Sequence, residues 1–448
     1  MPSLSAVRSL QMGLRSPTRS LAVLGCYPYF LAVSIFFYLI LPLPVLLILG
    51  WHYVGGGPVL ENIHPATYLL FAAFCFSLAI DPQFRSLAVG RIATDSVLVA
   101  FVVAIAITAS YCGFVQGASV APFVDTFIAA IVAMIALSCL PIGPITFLRR
   151  SIDIFFIMNI AMIFWETITR TNYLSDYLIS VTDPLEIAKF LGPQEAESTF
   201  YRPSALFGHP LSAAMFLGVY LISNLISMPA RLSRTAIARL ILALLAYGAI
   251  FPTASRSSMV ATTIILGLYV VYATISAGMR ASINKISFTF FVCAAVMFVL
   301  PATVVMWNIG FFDSMFGRFQ YDEGSALTRD YALTILEHSS APDLWFGRPQ
   351  RDILAIQRGY GLIAIEISWV NFILVGGLIT AIPLFVTYCL FLFRTLRRYC
   401  GVEIYFISLL VLIATSSANG IWAKTTELTI SIAICFCFLR RDIRGSAQ

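Results

Sequence analysis

The residues that suggest the most specific chemistry are three arginines, each beside a long apolar segment. Arg202 begins the stretch 202–210, Arg256 lies in a short turn between two apolar segments, and Arg329 lies in the long polar stretch 308–363. A guanidinium group is planar, stays charged and matches phosphate oxygens with paired N–H donors. Three such groups that converge near a membrane surface would suit a diphosphate whose lipid tail lies in the bilayer.

Each arginine also has a simpler interpretation, which the sequence leaves open. Arg256 fits an interfacial arginine whose stem lies along lipid while its charge reaches the head groups. Arg329 fits an ion pair with Asp330 or Asp322. Arg202 fits a contact that caps its own loop. The sequence therefore nominates the three arginines for diphosphate binding without deciding between these roles.

Two further residues are candidates for a base that takes a proton from a hydroxyl group. His338 is the one histidine in the stretch 308–363, and Glu366 lies close to the start of the next apolar segment. A carboxylate beside a membrane segment is costly without a partner, so function is its first interpretation. The alternatives are a solvated loop position for His338 and an ion pair with Arg358 or Lys424 for Glu366.

The composition excludes a soluble protein. Of the 448 residues, 59% are hydrophobic and 11% are charged, whereas soluble proteins carry about 25% charged residues. No phosphate-binding glycine loop, nucleophile elbow or metal-ligand spacing occurs. The nine cysteines lie mostly in apolar runs, which predicts buried thiols, no disulfide and no metal site.

Apolar segments that could each cross a bilayer recur along the whole chain. A crossing helix needs about 20 apolar residues. Twelve candidates are present, several of them short: 24–49, 66–80, 95–111, 121–140, 149–167, 205–227, 236–252, 257–277, 287–307, 364–393, 402–417 and 425–439. The sequence therefore predicts one all-α integral membrane domain over residues 1–448, with about twelve transmembrane helices.

Basic residues predict the orientation of these helices. With the N-terminus in the cytoplasm, most of the 28 Lys and Arg lie inside and most of the 22 carboxylates lie outside, as the positive-inside rule requires. Both termini are then cytoplasmic, and two long loops, 168–204 and 308–363, lie outside. The net charge of +6 reflects this asymmetry and does not indicate a nucleic-acid partner.

Several short motifs, in this order and topology, resemble the O-antigen ligase/polymerase superfamily. They are Arg-x-Ser-x-x-Phe-Gly-His-Pro at 202–210, the Ser-Arg turn at 255–256, and a long outside loop before the Gly-Gly-Leu-Ile segment at 376–379. The resemblance covers roughly residues 66–439. It makes His209, within the first motif, a possible further site residue, although a helix start before Pro210 is its other interpretation.

This resemblance implies a bacterial inner-membrane enzyme of the C-type glycosyltransferase group. Such an enzyme uses undecaprenyl-diphosphate-linked glycans as donor and acceptor, without metal or cofactor, and inverts the anomeric carbon. Arg202, Arg256 and Arg329 would hold the diphosphate, with Arg329 also acting in catalysis, and Glu366 or His338 would be the base. Membrane lipids surround it, and chain-length regulator and flippase proteins are implied as partners.

One departure from the family favours polymerisation over ligation. The ligases carry a His-Asn pair at the outside start of the helix after the large loop, whereas Val370-Asn371 stands here. Asn371 remains a possible site residue. The leading prediction is therefore a polymerase of lipid-linked polysaccharide repeats.

The alternatives are a ligase, a flippase or transporter of lipid-linked sugars, and a non-catalytic assembly partner. A transporter usually needs ionisable groups near the bilayer midplane and often shows repeated halves. This chain has no repeat, and its charges gather at one face.

Overall fold

The computed structural model describes residues 22–51, 53, 59–171, 174, 177, 202–229, 233–279, 307–308, 325–360, 362, 365, 367–417 and 425–440. Every regular element in these residues is helical, which confirms the all-α prediction. The predicted span 287–307 lies almost entirely outside the described residues, as does most of the first long loop, 168–204.

Seventeen α-helices are labelled here in chain order. The first half contains α1 (Ala22–Ile40), α2 (Leu43–Ile48), α3 (Pro65–Ile80), α4 (Pro82–Thr94), α5 (Ser96–Ser110), α6 (Ala129–Cys139), α7 (Ile142–Thr169), α8 (Pro210–Ile226) and α9 (Arg234–Ile250). The second half contains α10 (Arg256–Met279), α11 (Ser325–Glu337), α12 (Ala341–Phe346), α13 (Gln350–Gly359), α14 (Ser368–Leu390), α15 (Leu396–Cys400), α16 (Ile404–Ser417) and α17 (Glu427–Leu439). Short turns of other helix types are Val59–Asn62, Tyr111–Val115, Phe123–Ile128, Ala205–Phe207 and Phe391–Thr395.

Four helices in the described residues are long and apolar enough to cross a membrane: Ser96–Val115, Ile142–Thr169, Arg256–Ser276 and Ser368–Cys400. A fifth crossing results if α3 and α4, which meet at 113°, form one broken span. Five shorter apolar helices of 10–17 residues accompany them. These lengths fit a helical protein that crosses the membrane several times, while the number twelve and the C-type glycosyltransferase fold remain predictions.

The short apolar helices α8 and α17 lie in the core of the bundle. In α17 all twelve residues after Glu427 are buried, as expected of a helix that is apolar on every side. The long helices α5 and α10 instead expose apolar side chains such as Val103, Ile107, Ile264 and Val271. Exposed apolar faces of this kind fit contact with lipid rather than with water.

One end of the bundle, called here the basic end, gathers arginines that cap and pair helix termini. Arg440 Nη1 donates to the carbonyls of Leu137 and Leu140 at 2.8 and 2.7 Å. Arg398 Nη1 lies 3.0 Å from Asp95 Oδ2. Both arginines belong to the set that the charge rule predicts to be cytoplasmic. The opposite end is called the open end.

α17 runs from the open end to the basic end. Since Arg440 caps the carbonyls at the end of α6, α6 and α17 finish together at the basic end. From there α17 rises through 13 residues, which is about 20 Å, so Glu427 lies at the opposite end of α17 from Arg440.

The predicted span 364–393 differs in the structure, where α14 contains a reversal of direction. Gly377 has φ 69° and ψ 166° inside this helix. The Trp369 ring lies 4.6 Å from Phe385 and 6.3 Å from Tyr388. In a straight helix Trp369 and Phe385 would be about 24 Å apart. Ser368–Gly376 is therefore a re-entrant arm that packs antiparallel to the residues after Gly377.

The reversal is held by the loop before it. A Cβ on Gly347 would lie 2.1 Å from the carbonyl oxygen of Val375, and a Cβ on Gly377 would lie 2.2 Å from that of Trp345. The backbone N–H of Arg348 donates to the Leu374 carbonyl at 2.7 Å. The two glycines thus let two backbones meet without side chains between them. A hydropathy pattern cannot predict this packing of backbone against backbone.

The described part of the predicted loop 308–363 is itself folded, because α11, α12 and α13 occupy most of residues 325–360. These helices attach to the open end of α5. Tyr111 Oη and Gln116 Nε2 donate to the Phe346 carbonyl at 2.7 and 2.8 Å, and the Gln350 N–H donates to the Gln116 carbonyl at 2.9 Å. The large loop is therefore anchored at the open end of the bundle.

Candidate functional site

The stretch that follows Arg202 is fixed by two buried side chains of α7. Glu166 Oε2 accepts the backbone N–H groups of Ser204 and Ala205, both at 3.1 Å. Asn159 Oδ1 accepts the N–H of Leu206 at 2.9 Å. Glu166 and Asn159 stand seven residues apart, about two turns, and therefore share one face of the helix. Sequence analysis did not select either residue, since their partners lie about 40 positions away.

The same stretch contains backbone conformations that most residues avoid. Ala205 has φ 46° and Gly208 has φ 77°, and a Cβ on Gly208 would lie 2.5 Å from Pro44 Cδ. Ala254, in the turn before Arg256, has φ 51°. Non-glycine residues held in this region cost on the order of 1–3 kcal/mol and cluster at functional sites. Two such residues, Ala205 and Ala254, lie close in sequence to the candidate arginines Arg202 and Arg256, which makes this part of the open end a candidate site.

The contribution of the Glu166 hydrogen bonds to holding the loop can be tested by Glu166→Gln. An amide keeps the shape of the side chain but loses the charge that strengthens two backbone hydrogen bonds, so we expect a loss of about 1–3 kcal/mol of stability. Thermal unfolding of the detergent-solubilised protein measures the change. A midpoint equal to that of wild type would show that the loop is held by other contacts.

Arg202 contacts the turn that carries Arg256. Its Nε–H donates to the Thr253 carbonyl at 3.1 Å, and Thr253 is itself fully buried. Arg256 is the first residue of α10, three positions after Thr253, and is partly exposed. Arg202 thus contacts the turn that leads into Arg256, although the two arginines are 54 positions apart in the sequence.

His209 begins α8, as one of its two sequence interpretations predicted. Its Nδ1 accepts the backbone N–H of Leu211 at 3.2 Å, so the neutral ring carries its proton on Nε2. The neutral His209 therefore offers its Nε2–H as a hydrogen-bond donor, and the residue is exposed.

Glu427 and Ser212 form a contact that sequence analysis missed. Ser212 Oγ donates to Glu427 Oε1 at 2.7 Å, across 215 positions of the chain. Ser212 lies one turn after His209, on the same face of α8. A signal for Glu427 was present, since it is the single charged residue of a 13-residue apolar helix. The residues Arg202, His209, Ser212, Thr253, Arg256 and Glu427 are called the open-end cluster below.

The remaining predicted site residues lie elsewhere. Arg329 and His338 belong to α11 and the turn after it, and both are exposed. His338 Nδ1 lies 2.8 Å from the Thr334 carbonyl. Asn371 lies in the re-entrant arm, where it is 6% exposed and its Oδ1 has no hydrogen-bond partner among the described residues. Glu366 lies outside the described residues.

An apolar groove of about 310 Å³ runs beside the loop that carries Arg202. Its lining includes Phe36, Pro42, Phe155, Met158 and Leu206. Leu206 is the residue whose backbone N–H is held by Asn159. The groove therefore connects the lipid-facing side of α1 and α7 with the stretch that follows Arg202.

The open-end cluster combines two guanidinium groups, a histidine donor and a partly exposed carboxylate. Such a set can bind an anion with the arginines and accept a proton with the carboxylate. No protein-family model, curated protein or solved structure matches the chain, so the superfamily named above remains a prediction from the sequence motifs.

Proposed function

We propose that this protein is a polymerase of undecaprenyl-diphosphate-linked polysaccharide repeat units, of the exopolysaccharide or O-antigen type. The observation that carries the proposal is the contact of Arg202 with the turn of Arg256, at the end of the bundle away from the capping arginines. Two guanidinium groups at that level suit a diphosphate at a membrane surface. The basic end would face the cytoplasm and the open end the periplasm of a bacterial inner membrane.

The proposed reaction is one displacement at an anomeric carbon. A sugar hydroxyl of the acceptor repeat unit attacks the first sugar of the donor glycan, and the bond to the diphosphate breaks. The lipid diphosphate leaves with the electron pair, and a base takes the hydroxyl proton. Arg202 and Arg256 would stabilise the charge that develops on the leaving group. Arg329 remains the third predicted ligand, on α11 of the anchored loop.

Two features of the surroundings support lipid-linked substrates. The apolar groove beside Leu206 suits part of an isoprenoid tail, since its lining is almost entirely apolar. A tail in the groove would bring its diphosphate toward the stretch that follows Arg202. Both substrates are held in one membrane by their lipid tails, which favours their encounter. Orienting two reactants correctly can lower the activation free energy by roughly 7–11 kcal/mol.

Reconstitution distinguishes the proposed function from its alternatives. The purified full-length protein is placed in proteoliposomes with a chemically defined lipid-linked repeat unit, and the products are separated by length. We expect products of two or more repeat units joined on one lipid, together with released lipid diphosphate. Transfer to an added lipid A core instead would indicate a ligase. Movement across the bilayer without new glycosidic bonds would indicate a flippase, and either result would reject the polymerase.

A further inference from the structure

We infer that Glu427 is the general base of the proposed transfer and takes the proton from the attacking hydroxyl of the acceptor. This inference rests on the proposed function and adds a residue that the sequence motifs did not select. The hydroxyl oxygen forms a bond to the anomeric carbon while the bond from that carbon to the diphosphate oxygen breaks. The electron pair leaves with the diphosphate, and the proton moves to a carboxylate oxygen of Glu427.

The position of Glu427 separates it from the apolar interior. It is the first residue of α17, and its side chain is partly exposed while the twelve residues after it are buried. Because α17 begins at Glu427, the carboxylate lies at the open end of the bundle rather than within the apolar helix. A hydroxyl carried on a lipid-linked sugar can approach such a group from the periplasmic side.

The contacts of Glu427 leave it able to accept a proton. Within the described part of the chain, its Oε1 accepts one hydrogen bond, from Ser212 Oγ at 2.7 Å. A carboxylate offers about four lone-pair sites, so one such bond orients the group without saturating it. Among the described residues no ion pair to Glu427 is present. A carboxylate locked in an ion pair would be a poor base, since the paired cation holds it in its charged form.

The backbone before Glu427 is attached to an irregular helix. The N–H of Thr425 donates to Thr126 Oγ1 at 3.4 Å, and Thr126 lies in the π-helical turn Phe123–Ile128. Turns of this kind within helices often occur at functional sites. This contact, together with the Ser212 bond, fixes the start of α17 from two sides.

The cluster joins the proposed base to the helix that follows the Arg202 stretch. His209 lies one turn before Ser212 on α8, and Ser212 holds Glu427, while Arg202 contacts the turn of Arg256 through the Thr253 carbonyl. An inverting transfer needs its base and its leaving group on opposite faces of the sugar, and the proposal assigns these two roles to Glu427 and to the two arginines.

The test uses Glu427→Gln in the proteoliposome assay, beside Glu427→Asp, Ser212→Ala and the control Glu337→Gln. Glu337 is an exposed carboxylate of α11. We expect polymer formation to fall about 10²–10⁴-fold in Glu427→Gln, to recover in part in Glu427→Asp, to fall less in Ser212→Ala, and to stay unchanged in Glu337→Gln. Binding of a fluorescent lipid-linked repeat unit as donor should match wild type in all four variants.

Several outcomes would overturn the inference. If the Glu427→Gln protein polymerises at the wild-type rate, Glu427 is not the base of the reaction. A Glu427→Gln protein that no longer binds the fluorescent donor shows that the carboxylate supports the site rather than the proton transfer. If the glutamine variant does not fold, Ser212→Ala decides, and an unchanged rate there overturns the role of Glu427. Failure of the wild-type protein to polymerise rejects the proposed function itself, which is a different result.

Discussion

Replacement of Arg202 or Arg256 by alanine is expected to reduce polymer formation about 10²–10³-fold each, because in the proposed reaction each contributes a charge that stabilises the leaving diphosphate. The double variant should form no measurable polymer. The rate of chain growth in proteoliposomes measures the effect, with donor binding measured in parallel. Since Arg202→Ala also removes the donor to the buried Thr253 carbonyl, the midpoint of thermal unfolding of each variant separates a loss at the site from a loss of folded protein.

Two comparisons make this expectation specific. Arg351→Ala is the matched control, since Arg351 lies on α13 with its side chain 88% exposed, and polymer formation should stay at the wild-type rate. Arg202→Lys keeps the charge but loses the planar donor group that contacts Thr253, so its rate should fall between wild type and Arg202→Ala. Wild-type polymer from Arg202→Ala or Arg256→Ala would remove that arginine from the mechanism.

Replacement of Gly377 by alanine is expected to destabilise the protein by roughly 2–5 kcal/mol and to stop polymer formation. The left-handed backbone at Gly377 costs about 1–2 kcal/mol for a residue with a side chain. The added methyl group also meets the Trp345 carbonyl at 2.2 Å, and overpacking of this kind costs typically 1–3 kcal/mol. The re-entrant arm and the anchored loop would have to separate. The midpoint of thermal unfolding and the polymer assay measure both effects.

Gly267→Ala is the control for this glycine. Gly267 lies in α10, where a Cβ would meet no other atom within 4 Å. Alanine is favoured over glycine inside a helix by about 0.8–1.0 kcal/mol, so this variant should melt at or above the wild-type midpoint and keep its activity. An unchanged midpoint in Gly377→Ala would show that the reversal in α14 does not depend on its contact with Trp345.

The sequence by itself determined the helical class of this protein and the helix start at His209, whereas Arg329, predicted in a loop, lies in α11. Apolar runs of sufficient length can satisfy their backbone hydrogen bonds in a membrane as helices, so composition and length were enough for that prediction. The Pro210 that follows His209 marked a helix start, and His209 is indeed the first residue before α8. These features depend on neighbours in the chain, which a sequence displays directly.

The tertiary structure decided which of these residues meet. The contact of Ser212 with Glu427, the attachment of the Arg202 loop to Glu166, and the reversal at Gly377 each join residues whose separation along the chain gives no sign of contact. The reversal also escaped prediction because an apolar run has the same hydropathy whether the helix continues or folds back on itself. Local preference selects the helices, whereas their packing against one another decides which carboxylate stays partly exposed at the open end.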